Sequence, residues 1–520
     1  MKATKASPPS QPAAPNAGAT ALAWQILGGL GIALAALVAY SNSFRVPFVF
    51  DDLASIPNNP TIRSLTEAWW PPKGQGALTV AGRPGLNFSF GLNYALNGLD
   101  VGGYHVLNFV IHLIAALALY GLVSRTLLLP RLEARFGRDA RPLALTVTLL
   151  WALHPLQTEA VTYIVQRAES LMGMFFLLTF YGFIRSVDSG PAPRWKIFCW
   201  AMCLCGAACK EITIVLPVLI FLYDRTFVSG SFREAWRRNR GMHLALLATW
   251  VPLLIFVAST GGNRSGVFHL DDVSMWVGHG LTQFEAIAHY FWLTFWPHPL
   301  TFEYGEMVTA PTFGQVLPWA VPVIALVAAT VVALWRRPAA GFLGAWIFAV
   351  LFPTSALPAT LQIIVEHRMY LPLAAVLVFV VAGFYLLAGR RAFPLLLLLA
   401  AGAGSLTHSR NTVYRTELSL WEDTAVKRPR NDHALVNYGL ALAKAGRHAE
   451  AAEQFAAAVR IQPNSLQARN NLGNSLALAG RYDEAIVQYE FVLRARPNEQ
   501  GVIQNLEQVR MLREAALRRR

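Results

Sequence analysis

The sequence predicts an all-α chain: a polytopic membrane domain of about eleven helices, followed by a short helical-repeat solenoid. Composition is the first observation behind this. Hydrophobic residues are 54% of the chain and charged residues 14%, where a soluble domain carries roughly 25% charge. The second is a series of uncharged apolar segments, beginning with residues 21–40 (ALAWQILGGLGIALAALVAY), long enough to cross a bilayer. The third is an internal repeat: residues 431–464 align without gaps on 465–498, a period of 34 residues. A chain of 520 residues has room for both parts.

Residues 1–20 are Pro/Ala-rich, carry Lys2 and Lys5, and are expected to form a disordered cytoplasmic tail before an uncleaved signal anchor. The membrane domain is expected over 21–406. Its apolar segments fall at about 21–42, 104–128, 140–155, 170–186, 196–209, 212–228, 242–260, 316–335, 339–356, 370–388 and 392–406. Basic residues orient them. Arg131, Arg135, Arg138 and Arg141 occupy one connection, Arg194 and Lys196 the next, and Arg233, Arg237, Arg238 and Arg240 a third. Arg336–Arg337 and Arg390–Arg391 complete the set, and with eleven spans all five connections share the side of Lys2. The opposite connections hold most carboxylates: Asp51, Asp52, Glu67, Glu159, Glu169, Glu211, Asp271, Asp272, Glu303, Glu306 and Glu366. Everything after Leu406 then lies on that carboxylate side. Residues 281–298 are apolar and aromatic but carry Glu285 and His289, so they read as an interfacial or re-entrant helix.

The cysteines Cys199, Cys203, Cys205 and Cys209 fall in one apolar stretch. C-x3-C could present soft metal ligands, but small packing residues inside a membrane helix are the simpler use. No phosphate-cradling Gly-rich motif, dinucleotide fingerprint or zinc-type Cys/His spacing is present. The formal charge of +14 is accounted for by arginine clusters against an anionic leaflet and needs no nucleic acid.

In the C-terminal part, Gly439 matches Gly473, Gly446 matches Gly480, Ala451 matches Ala485, and Pro463 matches Pro497. Gly and Ala let antiparallel helices approach closely, and Pro ends the second helix. The pattern resembles tetratricopeptide repeats. Residues 407–430 are read as a linker and partial repeat, with "SLWEDTAVKRP" as its second helix, 431–498 as two repeats, and 499–520 as a capping helix ending in Arg518, Arg519 and Arg520. Such repeats imply a protein or peptide partner, and Asn437, Asn470, Asn471 and Asn474 suit hydrogen bonding to an extended backbone. A purely structural or dimerising module is the alternative.

Asp51–Asp52, in "SNSFRVPFVFDDLASIPNNP", stand just past the first span, in a polar loop over about 43–103. Two carboxylates at the mouth of a membrane helix are costly and mark a site, although Asp also caps helices.

In order along the chain stand "FDDLASIPNNPTI", "GRPGLNFSFGLNYALNG", "YHVLNFVIHL", "LHPLQTEAVTYIVQRAESL", "CKEITIVLPVLIFLYD", "HYFWLTFWPHPLTFEYG" and "VEHRMYLPLA". This series resembles the TMTC-type protein O-mannosyltransferases, C-type (GT-C) glycosyltransferases of the membrane, and especially their bacterial relatives. The resemblance implies transfer of a hexose such as mannose from a polyprenyl-phosphate donor to Ser/Thr hydroxyls of exported proteins, with inversion, at the exterior face of a bacterial inner membrane. It also implies an acidic residue in the first exterior loop. Asp52 is then the expected general base and Asp51 the second choice, or one of the pair holds a divalent metal such as Mg or Mn. The leaving phosphate calls for cations, and Arg368, Lys210, Arg167, Arg83 and Arg264 are the exterior ones. Glu159 and Arg167, two helical turns apart, would share one helical face, and Glu159 and His154 would orient the sugar or support the base. Each cation could instead form an internal ion pair, Arg167 with Glu159 or Arg368 with Glu366. His112 is expected to make a structural hydrogen bond, and His298 to shape the interfacial segment. The stretch "GGNRSGVFHLDDVSMWVGHG" departs from the animal members and leaves sugar and acceptor open. A glycolipid or surface polysaccharide acceptor, or a non-enzymatic membrane scaffold, are the alternative functions.

Overall fold

The computed structural model describes residues 17–72, 79–188, 193–259, 273–305, 313–356 and 363–518. Arg264, Asp271, Asp272, Glu306, Arg519, Arg520 and most of the N-terminal tail lie outside the described residues or have no described side chain. All regular structure among the described residues is helical.

Every apolar segment read from the sequence is helical over most of its described residues, although 212–228 and 242–260 are each divided among shorter helices. Eight stretches are long and apolar enough to cross a membrane. The last of them holds two helices, Pro372–Ala388 and Ala392–Asn411, parted at Gly389–Arg391. Two further expected spans, Ala140–Ala152 and Pro193–Ala207, are shorter helices of 13 and 15 residues. At ~1.5 Å per residue neither reaches across a ~30 Å hydrocarbon core alone. After Ala152 the chain goes on through Pro155–Gln157 and Thr158–Thr162, all buried in protein, where irregular backbone at membrane depth is tolerated.

The central layer packs Val101–Leu127, Ala140–Ala152 and Arg167–Asp188. Trp151 is fully buried and its indole donates to the Tyr370 carbonyl at 2.8 Å. His112 stacks on Trp151 and bonds the Ala152 carbonyl at 3.1 Å and Tyr370 Oη at 2.9 Å, the structural role expected of it. Gly173 permits this packing, because a Cβ there would fall 2.5 Å from the Tyr370 ring.

The basic connections meet at one end of this bundle. Arg390 pairs with Asp139 at 2.7 Å, Arg125 with Asp188 at 2.6 Å, Arg131 donates to the Thr226 carbonyl at 3.0 Å, and Arg225 to the Leu334 carbonyl at 2.9 Å. Asp52, Glu159, Lys210 and Glu366 lie at the other end. Val273–Phe295 stays with that second end. Its Thr294 carbonyl meets His154 Nε2 at 3.0 Å, Tyr290 Oη accepts from the Val365 amide at 3.0 Å, and His279 meets the backbone of Thr354 and Ser355. Trp292, Phe295 and Trp296 are exposed on it, as aromatic residues at headgroup depth would be.

The repeats are Asp432–Lys444 with His448–Ile461, then Leu466–Leu478 with Tyr482–Ala495, closed by Gln500–Arg518. Gly439 and Gly473 face the Phe455 and Tyr489 rings, where a Cβ would clash at 2.7 Å. Glu417–Lys427 packs against the first repeat from the membrane side. Lys427 Nζ donates to the Leu300 carbonyl at 2.8 Å, and Phe50 sits edge-on to Trp421 at 5.3 Å, His433 at 5.8 Å and Phe302 at 6.0 Å. The membrane domain thereby supplies the packing that two repeats lack by themselves.

Candidate active site

Asp51 and Asp52 open the short helix Asp51–Ser55 and face opposite ways. Phe50, just before it, has φ 49°, a backbone setting that side chains rarely adopt and that persists where packing over-determines it. The aromatic rings around Phe50 supply that packing. Asp52 is fully buried. Its Oδ2 accepts from the Val49 amide at 3.0 Å and its Oδ1 from the Val165 amide at 2.7 Å. Burial outweighs these bonds and pushes its carboxyl up to about 8. Asp52 bolts the first loop to the 163–167 segment, and neither oxygen is open. Asp51 is half-buried. Its amide donates to Tyr163 Oη at 3.0 Å, while its carboxyl group faces Glu303 and His433. Burial, then Glu303, raises it to about 6, against the pull of His433. Glu303 Oε2 is itself held by His433 Nδ1 at 2.8 Å.

Deeper lies a buried charge network. Glu159 accepts from the His367 amide at 3.2 Å and meets His367 Nδ1 at 2.8 Å. His367 Nε2 lies 3.9 Å from Glu169, which pairs with Lys210. Arg83 pairs with Glu211 at 3.1 Å. Glu366 accepts from the Thr301 amide at 2.5 Å and from Tyr304 Oη at 2.7 Å. Burial raises Glu159 to about 8 and Glu366 to about 7, and lowers Lys210. Arg368 donates to the Ile363 carbonyl at 2.7 Å and meets Tyr290.

Two expectations about the 158–167 stretch are corrected. Glu159 and Arg167 do not share a helical face, because Tyr163 is extended (φ −81°, ψ 111°) and splits the stretch into two short helices before Arg167–Asp188. Nor do they pair. Arg167 is fully buried, donating to Asn108 Oδ1 at 2.6 Å, the Tyr104 carbonyl at 3.0 Å and the Ser89 carbonyl at 3.1 Å, with Phe90 stacked at 4.7 Å. His154 is likewise occupied: Nδ1 accepts from the Leu156 amide at 3.2 Å and Nε2 meets the Thr294 carbonyl. It caps a turn.

Sequence reasoning passed over Arg410, Asp423, Arg428 and His433. Arg410 is buried and pairs with Asp423 at 2.7 Å, while its Nη2 has no hydrogen-bond partner among the described residues. Arg428 stacks over Tyr304 at 4.5 Å. The signals were an arginine on the side that disfavours it, and His433 where the second repeat has Gln467. In the repeats, Asn437 donates to the His433 carbonyl at 2.9 Å, Asn474 Oδ1 accepts from Tyr489 at 2.7 Å and from Asn505 at 3.0 Å, Asn470 Oδ1 is buried without a partner among the described residues, and Asn471 is half-buried.

Among the described residues no three His, Cys, Asp or Glu side chains gather as a metal-holding group. Both Asp52 oxygens are taken by backbone amides, which leaves Asp51 as the open carboxylate of the Asp51–Asp52 pair.

A tetratricopeptide repeat model matches residues 418–465 and 439–499. Protein O-mannosyl-transferase Tmtc3 of Drosophila melanogaster is 32% identical over 225 residues, 38% of this chain and 24% of that protein. Mouse TMTC3 is 29% identical over 239 residues, 42% of this chain and 25% of that protein. Xenopus laevis tmtc2 is 26% identical over 313 residues, 54% of this chain and 36% of that protein. The chain thus spans about a quarter to a third of the length of these curated relatives. The crystal structure of ArnT from Cupriavidus metallidurans bound to undecaprenyl phosphate superposes with a TM-score of 0.44 at 15% identity, over 90% of this chain and 80% of that one. Over part of its length the chain is similar to the TMTC protein O-mannosyl-transferases, and it carries tetratricopeptide repeats.

Proposed function

We propose that this chain is a multi-span membrane glycosyltransferase that moves a hexose from a polyprenyl-phosphate carrier to a hydroxyl acceptor presented by the repeats, with Asp51 as general base. The observation that carries this reading is the half-open Asp51 carboxylate, where the first loop meets the first repeat. A carboxyl group near 6 is mostly ionised at neutral pH and still basic enough to take a proton from an attacking hydroxyl. The acceptor oxygen attacks the anomeric carbon, its proton passes to Asp51, and the bond from that carbon to the phosphate oxygen breaks in the same displacement. The carrier leaves as its phosphate. Arg410 Nη2, Arg428 and Arg368 are the cations assigned to that phosphate. Lys210 and Arg83 already neutralise Glu169 and Glu211, and Arg167 has its donors spent on backbone and amide oxygens. Asp52, Arg167 and His154 act as positioning residues.

The test is transfer of labelled mannose from polyprenyl-phosphate mannose to Ser/Thr peptides by the purified full chain. Transfer by the wild type that is lost in Asp51→Asn, with unfolding temperature unchanged, supports the reading. A folded Asp51→Asn variant with full transfer overturns the base assignment. Absence of transfer to peptides, with transfer to lipid acceptors, moves the acceptor to the glycolipid alternative.

A further inference from the structure

At the arginine end of the bundle, far from Asp51, a cavity of about 640 Å³ opens between Val101–Leu127, Arg167–Asp188, Leu216–Tyr223, Pro338–Ala356 and Pro372–Ala388. Its floor is aromatic: Phe180, Tyr223, Phe342 and Trp346. Polar atoms in the wall are spent on each other, since the Thr126 and Tyr223 hydroxyls bond at 2.7 Å. Gly383 lines one side, and a Cβ there would meet nothing within 4 Å.

The mouth carries Arg131, Arg135, Arg336 and Arg337, and among the described residues no carboxylate lines the cavity. The nearby acids are held elsewhere. Asp139 is bound by Arg390 and Tyr385, Asp188 by Arg125, Asp224 by His243, Ser229 and Asn239, and Glu234 by Arg237 and Arg238. Glu133, on the short helix of Arg131 and Arg135, is exposed and outside the lining. Arg131 is steadied by the Thr226 carbonyl at 3.0 Å. Among the described residues, Arg135, Arg336 and Arg337 have no acidic partner.

An apolar slot under a cluster of uncompensated guanidinium groups matches a molecule with a long hydrocarbon chain and a phosphate head. Basic pockets between membrane helices bind phospholipid heads in this way, and the volume falls among those of ordinary ligand pockets, about 300–1,000 Å³. We propose that this cavity is a specific site for an anionic phospholipid of the leaflet at the arginine end, its acyl chain on the aromatic floor and its phosphate on the four arginines. The proposal does not depend on the catalytic reading.

The experiment is native mass spectrometry of the full chain released from micelles, titrated with phosphatidylglycerol, phosphatidylcholine, polyprenyl phosphate or inorganic phosphate, with unfolding temperature read in parallel. The wild type is expected to keep one phosphatidylglycerol and to be stabilised by it, and to be unmoved by phosphatidylcholine or free phosphate. Two variants should each weaken retention at least tenfold: Arg135→Gln/Arg336→Gln/Arg337→Gln, which alters exposed residues alone, and Gly383→Phe, which fills the slot. Equal retention of both phospholipids, or an unchanged adduct in the triple variant, marks ordinary boundary lipid and overturns the proposal. Retention of polyprenyl phosphate in preference to phosphatidylglycerol overturns the assignment to a phospholipid.

Discussion

At the end of the membrane domain that meets the repeats, Glu159, Glu169, Lys210, Glu366 and Arg410 are buried and bound to partner side chains or to the backbone. At the opposite end, Arg135, Arg336 and Arg337 stand exposed and pair with no acid among the described residues. The difference lies in what each charge has to work against. A buried charge costs several kcal/mol unless its hydrogen bonds are met, so the first end is a rigid lattice in which nearly every group is committed. Arginines at a membrane surface keep their water and lend their charge to an anionic leaflet. Asp51, the proposed general base, is among the groups that this lattice leaves more open.

The neighbouring carboxylates of the first loop give the strongest way to break this comparison. Asp51→Asn is expected to lower transfer by about 10²–10⁴-fold, the reach of a general base, with little change in unfolding temperature. Asp52→Asn should act the other way round: one of its two backbone amides then faces an NH2 group instead of an acceptor oxygen, and the yield of folded protein falls before activity per folded molecule does. Transfer assays with unfolding curves on both variants decide it. An Asp52→Asn protein that is folded but inactive would reverse the two roles.

Arginines at the two ends should answer differently to the same change. Arg167→Gln leaves Asn108, Ser89 and Tyr104 without their donor in a closed core and is expected to cost about 3–5 kcal/mol. Arg336→Gln and Arg337→Gln touch exposed groups and should stay within about 0.5 kcal/mol. Denaturation of the three variants in micelles provides the measurement, and equal effects would remove the distinction between lattice and surface.

The pH response sharpens the contrast further. Asp51, raised to about 6, must be ionised to accept a proton, so kcat/KM should fall about tenfold per unit below pH 6 and level off above it. Stability runs the opposite way for Asp52. Its carboxyl sits near 8 in the fold against an unfolded value of about 4, so the folded state holds the proton more tightly. That contribution is complete below about pH 4 and is lost as pH rises toward 8. Asp52→Asn should flatten the slope of unfolding temperature over this window, and an unchanged slope would refute the assignment.

Apolar segments and repeats were legible because each depends on local pattern: uncharged runs of span length, and Gly, Ala and Pro at a fixed period. Grouping of the basic connections was legible too, since it follows from counting spans. The different surroundings of Asp51 and Asp52 were not. The residues are identical, and what separates them is the backbone at Phe50 and a bond to Val165, 113 positions away. Arg167 read as a free cation because its acceptors lie 59–78 positions off in sequence. The break at Tyr163 left only a weak trace, the β-branched run in "VTYIV", with no Pro or Gly to mark it.

Glu303 and His433 offer the finest test, because they pull on Asp51 from opposite sides. Glu303 raises the Asp51 carboxyl through like charge, and His433, on the first repeat, lowers it. Glu303→Gln should therefore shift the acid limb of kcat/KM to lower pH, and His433→Ala should shift it to higher pH. Each also loses the 2.8 Å contact between them, worth about 1 kcal/mol and so about fivefold in rate at most. A general loosening of the junction would lower the rate in both variants and move both limbs alike. Opposed shifts in a pH–rate profile are expected if the first repeat and the 296–305 segment both reach the Asp51 carboxyl group, which would make the repeat part of that group's electrostatics.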